Sequence, residues 1–371
     1  MDKFVHRQVN WGEMQVRATH FIEMENFLLE RILQTASVSH TNHYGLLPTN
    51  RETAIEIQTM KIGEVTRVYL KSYNGITSGG YLVRIQDSEE EDELYCELEN
   101  KTETPQEAWD IVLTIDPFER KPTNILDIKA DPPRYAYVTA TYRLNTIPHK
   151  ENTIYTPNSI VVGLLRKNDY GYQLDGNYIP PALTMSSHES LKGYGYNFSE
   201  WISSIEKALQ KILEKIQAQP NRTSVANSIL VLSKEMLRFL STINYHWKNN
   251  VKNLTPYQVT EILSSFAASM LTSLLFVSRK EKEEMLKYFH EWNGITPSNF
   301  EQMLDEIINK KYNHNQINQS MVSVGNLLQM LNELFVSLSQ LEFVGQHRES
   351  IVISERQAQT NTTSGSRWMV D

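Results

Sequence analysis

The stretch "DGNYIPPALTMSSHESL", Asp175 to Leu191, separates two kinds of sequence. Its Pro180-Pro181 step removes two backbone N–H donors, and Pro181 pushes Pro180 toward extended geometry. A strand ladder is expected to stop there, and no helix is expected to start before it. Tyr178 and Ile179 are expected to pack on the strands upstream, while "ALTMSSHESL" leads into the helical half of the chain. A Pro-Pro joint is stiffer than a Gly-rich one and transmits orientation better. Tyr178, Ile179, Pro180 and Pro181 are therefore read as a domain-junction motif.

Upstream of the motif, after an opening helical stretch, the sequence alternates with period two. Ile55 and Ile57 in "AIEIQTM" share a face. "EVTRVYLK", "GYLVRIQ", "WDIVLTID", "YAYVTATY" and "SIVVGLL" are rich in β-branched and aromatic residues. Asn74-Gly75, Gly79-Gly80 and Pro132-Pro133 are read as turns between them. The acidic run Asp87 to Glu93 is read as a solvated hairpin tip. This pattern predicts an antiparallel β-sandwich or shell over residues 1–192.

Downstream, apolar residues step by three and four. Ile202, Ile205, Leu209, Ile212 and Ile216 form one stripe; Val225, Ile229, Leu232, Met236, Phe239, Ile243 and Trp247 form a second. Val259, Leu263, Phe266, Met270 and Leu274 form a third, and Met321, Val324, Leu328, Leu331, Phe335 and Leu338 a fourth. Ser199 is read as the first N-cap, and Thr255-Pro256 and Thr296-Pro297-Ser298 as later helix starts. The expectation is an α+β chain whose residues 193–344 form a C-terminal four-helix bundle. Residues 345–371 are read as a short strand, "ESIVISERQ", and a flexible tail in which Trp368 and Met369 offer an anchor for a partner groove.

Composition narrows the function. The 371 residues are 40% hydrophobic and 22% charged, enough to bury sizeable cores. A net charge of -8 with no basic domain argues against nucleic acid as a partner. The N-terminus lacks the apolar core of a signal peptide. The run Ser264 to Val277 is short and serine-rich for a bilayer span, so a core helix without membrane insertion is expected. The lone Cys96 suits a reducing, cytoplasmic setting and is read as a small buried residue.

No nucleophile elbow, phosphate loop or zinc-ligand pair is present in the sequence. His40 and His43, with Glu52 nearby, lack a second ligand pair, so no metal and no cofactor are expected. Asp116, Asp127, Asp131 and Asp175 are read as turn formers, not as a carboxylate pair for catalysis. The expectation is a non-enzymatic structural or interaction protein. The other reading is a phage-tail-like receptor- or carbohydrate-binding trimer, with Tyr194 and Tyr196 available to stack on sugars.

Three segments resemble the TssK baseplate subunits of bacterial type VI secretion systems. In "NWGEMQVRATHFIEMENFLLERI", Asn10 to Ile32, Trp11, Met14, His20 and Phe21 fall where that family has a tryptophan, a turn and a Pro-Gln-His-Phe entry to a helix; Ala18-Thr19 replace the Pro-Gln. Tyr178, Ile179, Pro180, Pro181, Leu183 and Leu191 match its Phe-Ile-Pro-Pro segment and the leucine beyond it. Tyr312 and His314 in "KYNHNQI" are similar to its Tyr-x-His lead into the last bundle helix. The resemblance implies a cytoplasmic homotrimer at the inner membrane, docking on the TssF–TssG wedge through a β shell similar to phage receptor-binding shoulder domains. It also implies contact with membrane-complex components through a C-terminal domain. Here that domain looks reduced, as in divergent Bacteroidetes-like systems. Trp11, Met14 and Phe21 are expected to form an apolar cluster that holds the N-terminal segment for docking, with His20 beside it.

Overall fold

The computed structural model describes residues 6–12, 15–39, 41–48, 54–86, 93–99, 107–151, 153–169 and 171–347. The chain divides into two compact units. The first holds residues 1–192, and two later segments, Lys252–Tyr257 and Asn313–Asn318, return to it. The second holds the remainder. The proline step thus lies ahead of one crossing among several, where the sequence suggested a single boundary.

In the first unit, helix α1 (Ala18–Ser37) precedes two antiparallel sheets. One sheet is centred on β3 (Val65–Ile76). It pairs with β1 (Gly45–Leu46), β2 (Ile55–Ile62), β4 (Leu82–Ile85) and β5 (Tyr95–Glu99). The other has the order β7-β6-β8-β9, formed by β6 (Ala108–Asp127), β7 (Arg134–Pro148), β8 (Ser159–Asn168) and β9 (Gly171–Leu174). The sheets meet where Gly163 of β8 leaves room for Ile57 of β2: a Cβ there would stand 3.0 Å from the Ile57 Cδ1. Val68, Leu70, Tyr73, Val83, Leu113, Ile160 and Leu165 are buried core residues.

The alternation changes phase inside β3. Thr66, Val68 and Leu70 face inward, then Tyr73 and Gly75, because a register shift opposite Glu56/Ile57 inserts one residue. Asn74-Gly75 is therefore strand, not turn: both residues pair with β4, and Gly75 also pairs with Leu46 of β1. Glycine is needed at 75 because a Cβ would come within 2.5 Å of the Tyr73 hydroxyl. The reversal falls at Thr77–Tyr81, with Gly80 at φ +87°. The β6–β7 turn does contain Pro132-Pro133. Of the acidic run, residues 87–92 lie outside the described residues.

Beyond Thr114, β6 has lost β8 and pairs with β7 alone, forming a two-stranded ribbon. At its root three residues loop out between Asp116 and Arg120. The Asp116 carboxylate accepts the Phe118 and Glu119 N–H groups at 3.1 and 3.0 Å. Asp127 likewise accepts from Lys129, and Asp175 from Asn177 and the Arg166 side chain. These aspartates shape local backbone.

The second unit contains six helices among its described residues, two more than the four expected. They are α2 (Glu189–Ala218, which begins in the first unit), α3 (Ser224–Asn250), α4 (Pro256–Ser273), α5 (Arg279–Asn293), α6 (Pro297–Asn309) and α7 (Ile317–Gln340). The four stripes are buried apart from Phe239 and Ile243, which are half-buried. The additional pair is stapled in by Phe289 of α5, whose ring lies 5.9 Å from Phe300 and 6.3 Å from Phe335. Gly325 of α7 admits the ring of Phe198 from α2.

Because α2 starts at Glu189, Ser199 is not its N-cap. Its hydroxyl donates to the Gly195 carbonyl and accepts the Trp247 indole N–H at 3.1 Å. Thr296 does cap α6, with Pro297 at its first position. Two segments, Pro256–Phe276 and His314–Gln340, have the length and apolarity of membrane spans. Their apolar stripes face the helical core.

Candidate docking surface and junction motif

The start of α1 is organised by its own side chains. Asn10 accepts the Gly12 N–H at 3.0 Å, which turns the chain. The His20 Nδ1 accepts the Arg17 N–H at 3.1 Å and satisfies one orphan donor of the first turn. The ring of Trp11 lies 6.4 Å from His20, edge-on, and 6.2 Å from Phe21. The structure thus brings Trp11, His20 and Phe21 together. Met14 lies outside the described residues, as do Trp368 and Met369 and all of residues 348–371.

None of the 20 residues of α1, all of them described, is buried. The helix is tethered by polar contacts: Arg120 of β6 reaches Glu25 at 2.6 Å and Asn26 at 3.1 Å. Met24, Phe27, Leu29 and Leu33 are half-buried, while a second set of apolar residues remains open to solvent. Phe21 is 53% exposed, Leu28 51% and Ile32 64%, and their spacing of seven and four places them on one stripe. Trp11, 46% exposed, extends that stripe past the helix start. A helix that half-buries one set of apolar residues and leaves a second apolar stripe outward presents a surface with unmet burial.

The junction motif is anchored by partners that carry no mark in the sequence. Pro180 and Pro181 are buried, and Ile179 and Ala182 are almost fully so. Pro181 has no N–H, yet its carbonyl accepts the Leu46 N–H at 2.8 Å. The Leu183 N–H donates to the Leu46 carbonyl at 2.9 Å. Ala182 and Leu46 form a parallel bridge between these bonds. The ladder therefore resumes directly after the prolines, against a two-residue strand. Met185 and Ser186 then donate to the carbonyls of Leu254 and Lys252. The His188 Nδ1 accepts the Ser190 N–H at the start of α2.

His314 belongs to the same region. Its Nε2 lies 2.9 Å from the Tyr44 carbonyl, an obligate acceptor, so the proton sits on Nε2. Its ring packs 4.5 Å from the Tyr44 ring. Tyr44 directly precedes β1, so the Tyr-Ile-Pro-Pro and Tyr-x-His segments meet at one short strand. Burial, with His43 nearby, lowers the His314 pKa from 6.5 to about 4. The unfolded chain therefore takes up a proton first. This stabilisation is complete above pH 6.5 and is lost progressively as pH falls toward 4, by about 3 kcal/mol. Melting temperature against pH is expected to fall more steeply over that window for the native chain than for His314→Gln. Parallel profiles would contradict the assignment.

The remaining singled-out residues are structural in their surroundings. Cys96 is half-buried and not the fully buried residue expected; that partial burial raises its thiol pKa to about 11, so it stays protonated and weakly nucleophilic. Tyr194 packs on Phe198, and only Tyr196 of that pair is well exposed. His40 and Glu52 lie outside the described residues. No group of three or more His, Cys, Asp or Glu side chains placed to hold a metal occurs among the described residues.

Comparison with curated proteins gives no match. Among solved structures, a crystal structure of TssK superposes with a TM-score of 0.52 at 16% identity, over 88% of this chain and 69% of that one. TssK from the type VI secretion system of EAEC, in complex with nanobody nb18, gives 0.51 at 17% identity, over 85% of this chain and 100% of that one. A chain of the type VI secretion baseplate complex gives 0.52 at 16% identity, over 89% and 99%. At these identities the likeness shows a shared fold. A family model described as "Bacterial Type VI secretion, VC_A0110, EvfL, ImpJ, VasE" matches residues 20–331, from α1 through most of α7. With that match reaching across both units, the chain belongs to this bacterial type VI secretion family.

Proposed function

We propose that the protein is a non-enzymatic baseplate subunit of a type VI secretion system, a homotrimeric adaptor between the baseplate wedge and the membrane-anchoring complex. The observation that carries this reading is the family match over residues 20–331. The fold shared with TssK chains supports it. In this reading the protein works in the cytoplasm, at a baseplate on the inner membrane. The long helices α2, α3, α4 and α7 form the bundle around which three copies assemble. The β unit faces wedge proteins of the TssF and TssG kind. The tail residues Trp368 and Met369 anchor a further partner.

Trp11, Phe21 and the stripe that continues to Ile32 are the proposed wedge contact, with His20 as the cap that holds the entry turn. Met14 completes the proposed cluster. The exposure of the stripe supplies the test, because truncating exposed residues disturbs folding little. Trp11→Ala with Phe21→Ala is expected to lower co-purification of wedge proteins at least tenfold while shifting the melting temperature by less than 2 °C, on the order of 1 kcal/mol or less of stability. Unchanged wedge recovery from a stably folded variant would remove this surface from the proposal. The family assignment itself is tested separately, by whether the native chain co-purifies with wedge proteins at all.

A further inference from the structure

The sheet centred on β3 turns one face to the core through Val68 and Leu70. Its other face is open. Register sets Met60 of β2, Arg67 of β3 and Glu97 of β5 in one row across three strands. Ile62, Val65 and Glu99 form the row on one side of it, and Gln58, Tyr69 and Tyr95 the row on the other. Met60 is 56% exposed, Ile62 46% and Tyr95 47%. Polar contacts fix the middle of this face. The Arg67 guanidinium stacks 4.7 Å from the Tyr95 ring and donates to Glu97 at 2.8 Å and to the Tyr69 hydroxyl at 3.2 Å. The Lys71 ammonium lies 5.4 Å from the Tyr69 ring and donates to Glu93 at 2.8 Å. Exposed apolar side chains beside preorganised Tyr and Arg are the composition of an interface hot spot.

Charge decides which partner fits. Among the described residues this face carries the carboxylates of Glu56, Glu93, Glu97 and Glu99 against the cations Arg67 and Lys71. The sequence steepens that bias. Eight of the chain's 44 acidic residues lie between Asp87 and Glu99, with no lysine or arginine among them. The 36 acidic residues elsewhere match the 36 lysines and arginines, so this one stretch accounts for the whole net charge of -8. Residues 87–92 are no part of the contact; they join β5 through Glu93 and add to its field. A second copy laid face to face would set like charges against each other. We propose that the outer face of β2, β3 and β5 docks a cationic protein segment, whose apolar side chains cover Met60, Ile62 and Tyr95 and whose lysines or arginines meet the glutamates of β5. This surface is separate from the α1 stripe and does not rest on the baseplate reading.

The test is selection from a random dodecapeptide library on the purified full chain. Recovered peptides are expected to be net positive and to carry aliphatic or aromatic residues. Met60→Ser with Tyr95→Ala changes no charge, and is expected to weaken the selected peptides about tenfold in fluorescence anisotropy. Trp11→Ala with Phe21→Ala, on α1, is expected to bind them as the native chain does. Met60→Ser with Ile62→Ser, which keeps the Arg67–Tyr95 stack, replaces the first variant if that one melts early. Neutral or acidic peptides overturn the proposal. So does equal affinity for a folded variant, which marks attraction by charge alone. Sedimentation equilibrium covers the remaining occupant: the variant is expected to keep the native mass, and an oligomer lost on substitution would show that a second copy covers this face, which also overturns the proposal.

Discussion

Gly45→Ala is expected to lower the melting temperature of the purified chain by roughly 10 °C, corresponding to about 4 kcal/mol. Two causes act together. Gly45 sits at φ +105°, where an L side chain is strained by about 1–3 kcal/mol. A Cβ there would also stand 2.0 Å from the Pro181 carbonyl oxygen, 2.1 Å from its carbon and 2.5 Å from the Ala182 nitrogen. All three are backbone atoms, so no rotamer change relieves the overlap. The strands must separate, which breaks the Leu46-to-Pro181 bond and its Leu183 counterpart at about 1 kcal/mol each. Gly63 provides the control. It too has positive φ, at +60°, in the β2–β3 turn, and a Cβ there meets nothing within 4 Å. Gly63→Ala is expected to cost only the conformational strain, about 1 kcal/mol. Equal effects of the two substitutions would show that the approach of β1 to the proline segment is unimportant.

That approach also marks the limit of what the sequence makes legible. Alternation and helical stripes are written along the chain, so β2, β3, β6, β7, β8 and the four long helices can be read from Ile55, Val68, Ile111, Leu209, Phe335 and their neighbours. The two-residue strand Gly45–Leu46 has no period of its own. Its partner is Ala182, far along the chain, and "YGLLP" carries no signal that names it. Short β5 and β9 escape for the same reason. Asn74-Gly75 misleads because a turn dipeptide and a glycine kept small for the Tyr73 ring look alike in one dimension. Helix α5 is hidden by charge: "RKEKEEMLKYFHEWN" buries only Met285, Leu286, Tyr288 and Phe289. Helix α6 has its start signal at Thr296-Pro297, but its stripe of Phe300, Leu304 and Ile307 is short.

The docking surface is legible for a different reason. Trp11, His20 and Phe21 are singled out by resemblance, and they come together through local geometry that the chain can set by itself: an Asn10 turn, a His20 cap and neighbouring rings. Their outward exposure is not legible. Helix α1 has an apolar content that on periodicity alone reads as a core helix. Only the structure shows that Phe21, Leu28 and Ile32 face solvent while Glu25 and Asn26 make the tether to Arg120.

The largest loss of stability in the helical unit is expected from ending the chain at Gln340. The residues after α7 do not form a loose lead into a tail. Leu341 to His347 cross the ends of three helices and are stitched at each. The Lys215 ammonium donates to the Ser339 carbonyl at 2.8 Å and the Leu341 carbonyl at 2.6 Å, neutralising the C-terminal end of α7. Gln219 donates to the Val344 carbonyl, and Thr223, itself the cap of α3, donates to the Gly345 carbonyl. The Gly345 N–H donates to the Tyr288 hydroxyl, and His347 lies 2.6 Å from Glu291. Val344 is fully buried. Gly345, at φ +90°, lets the backbone pass so close to Ala226 that a Cβ would stand 2.7 Å from its nitrogen. Removing Leu341 to Asp371 deletes four such hydrogen bonds at about 1 kcal/mol each and one buried valine at about 2 kcal/mol. It also leaves the Tyr288 hydroxyl and the Glu291 carboxylate without these partners. The expected loss is about 6 kcal/mol or more, enough to leave the helical unit unfolded or marginal at 37 °C. A chain ending at His347 keeps every one of these contacts, and its melting temperature is expected to stay within 2 °C of the full chain. Differential scanning calorimetry of the two truncations decides the matter: if both melt with the full chain, the segment is not a clasp; if both collapse, the stabilising contacts lie beyond His347.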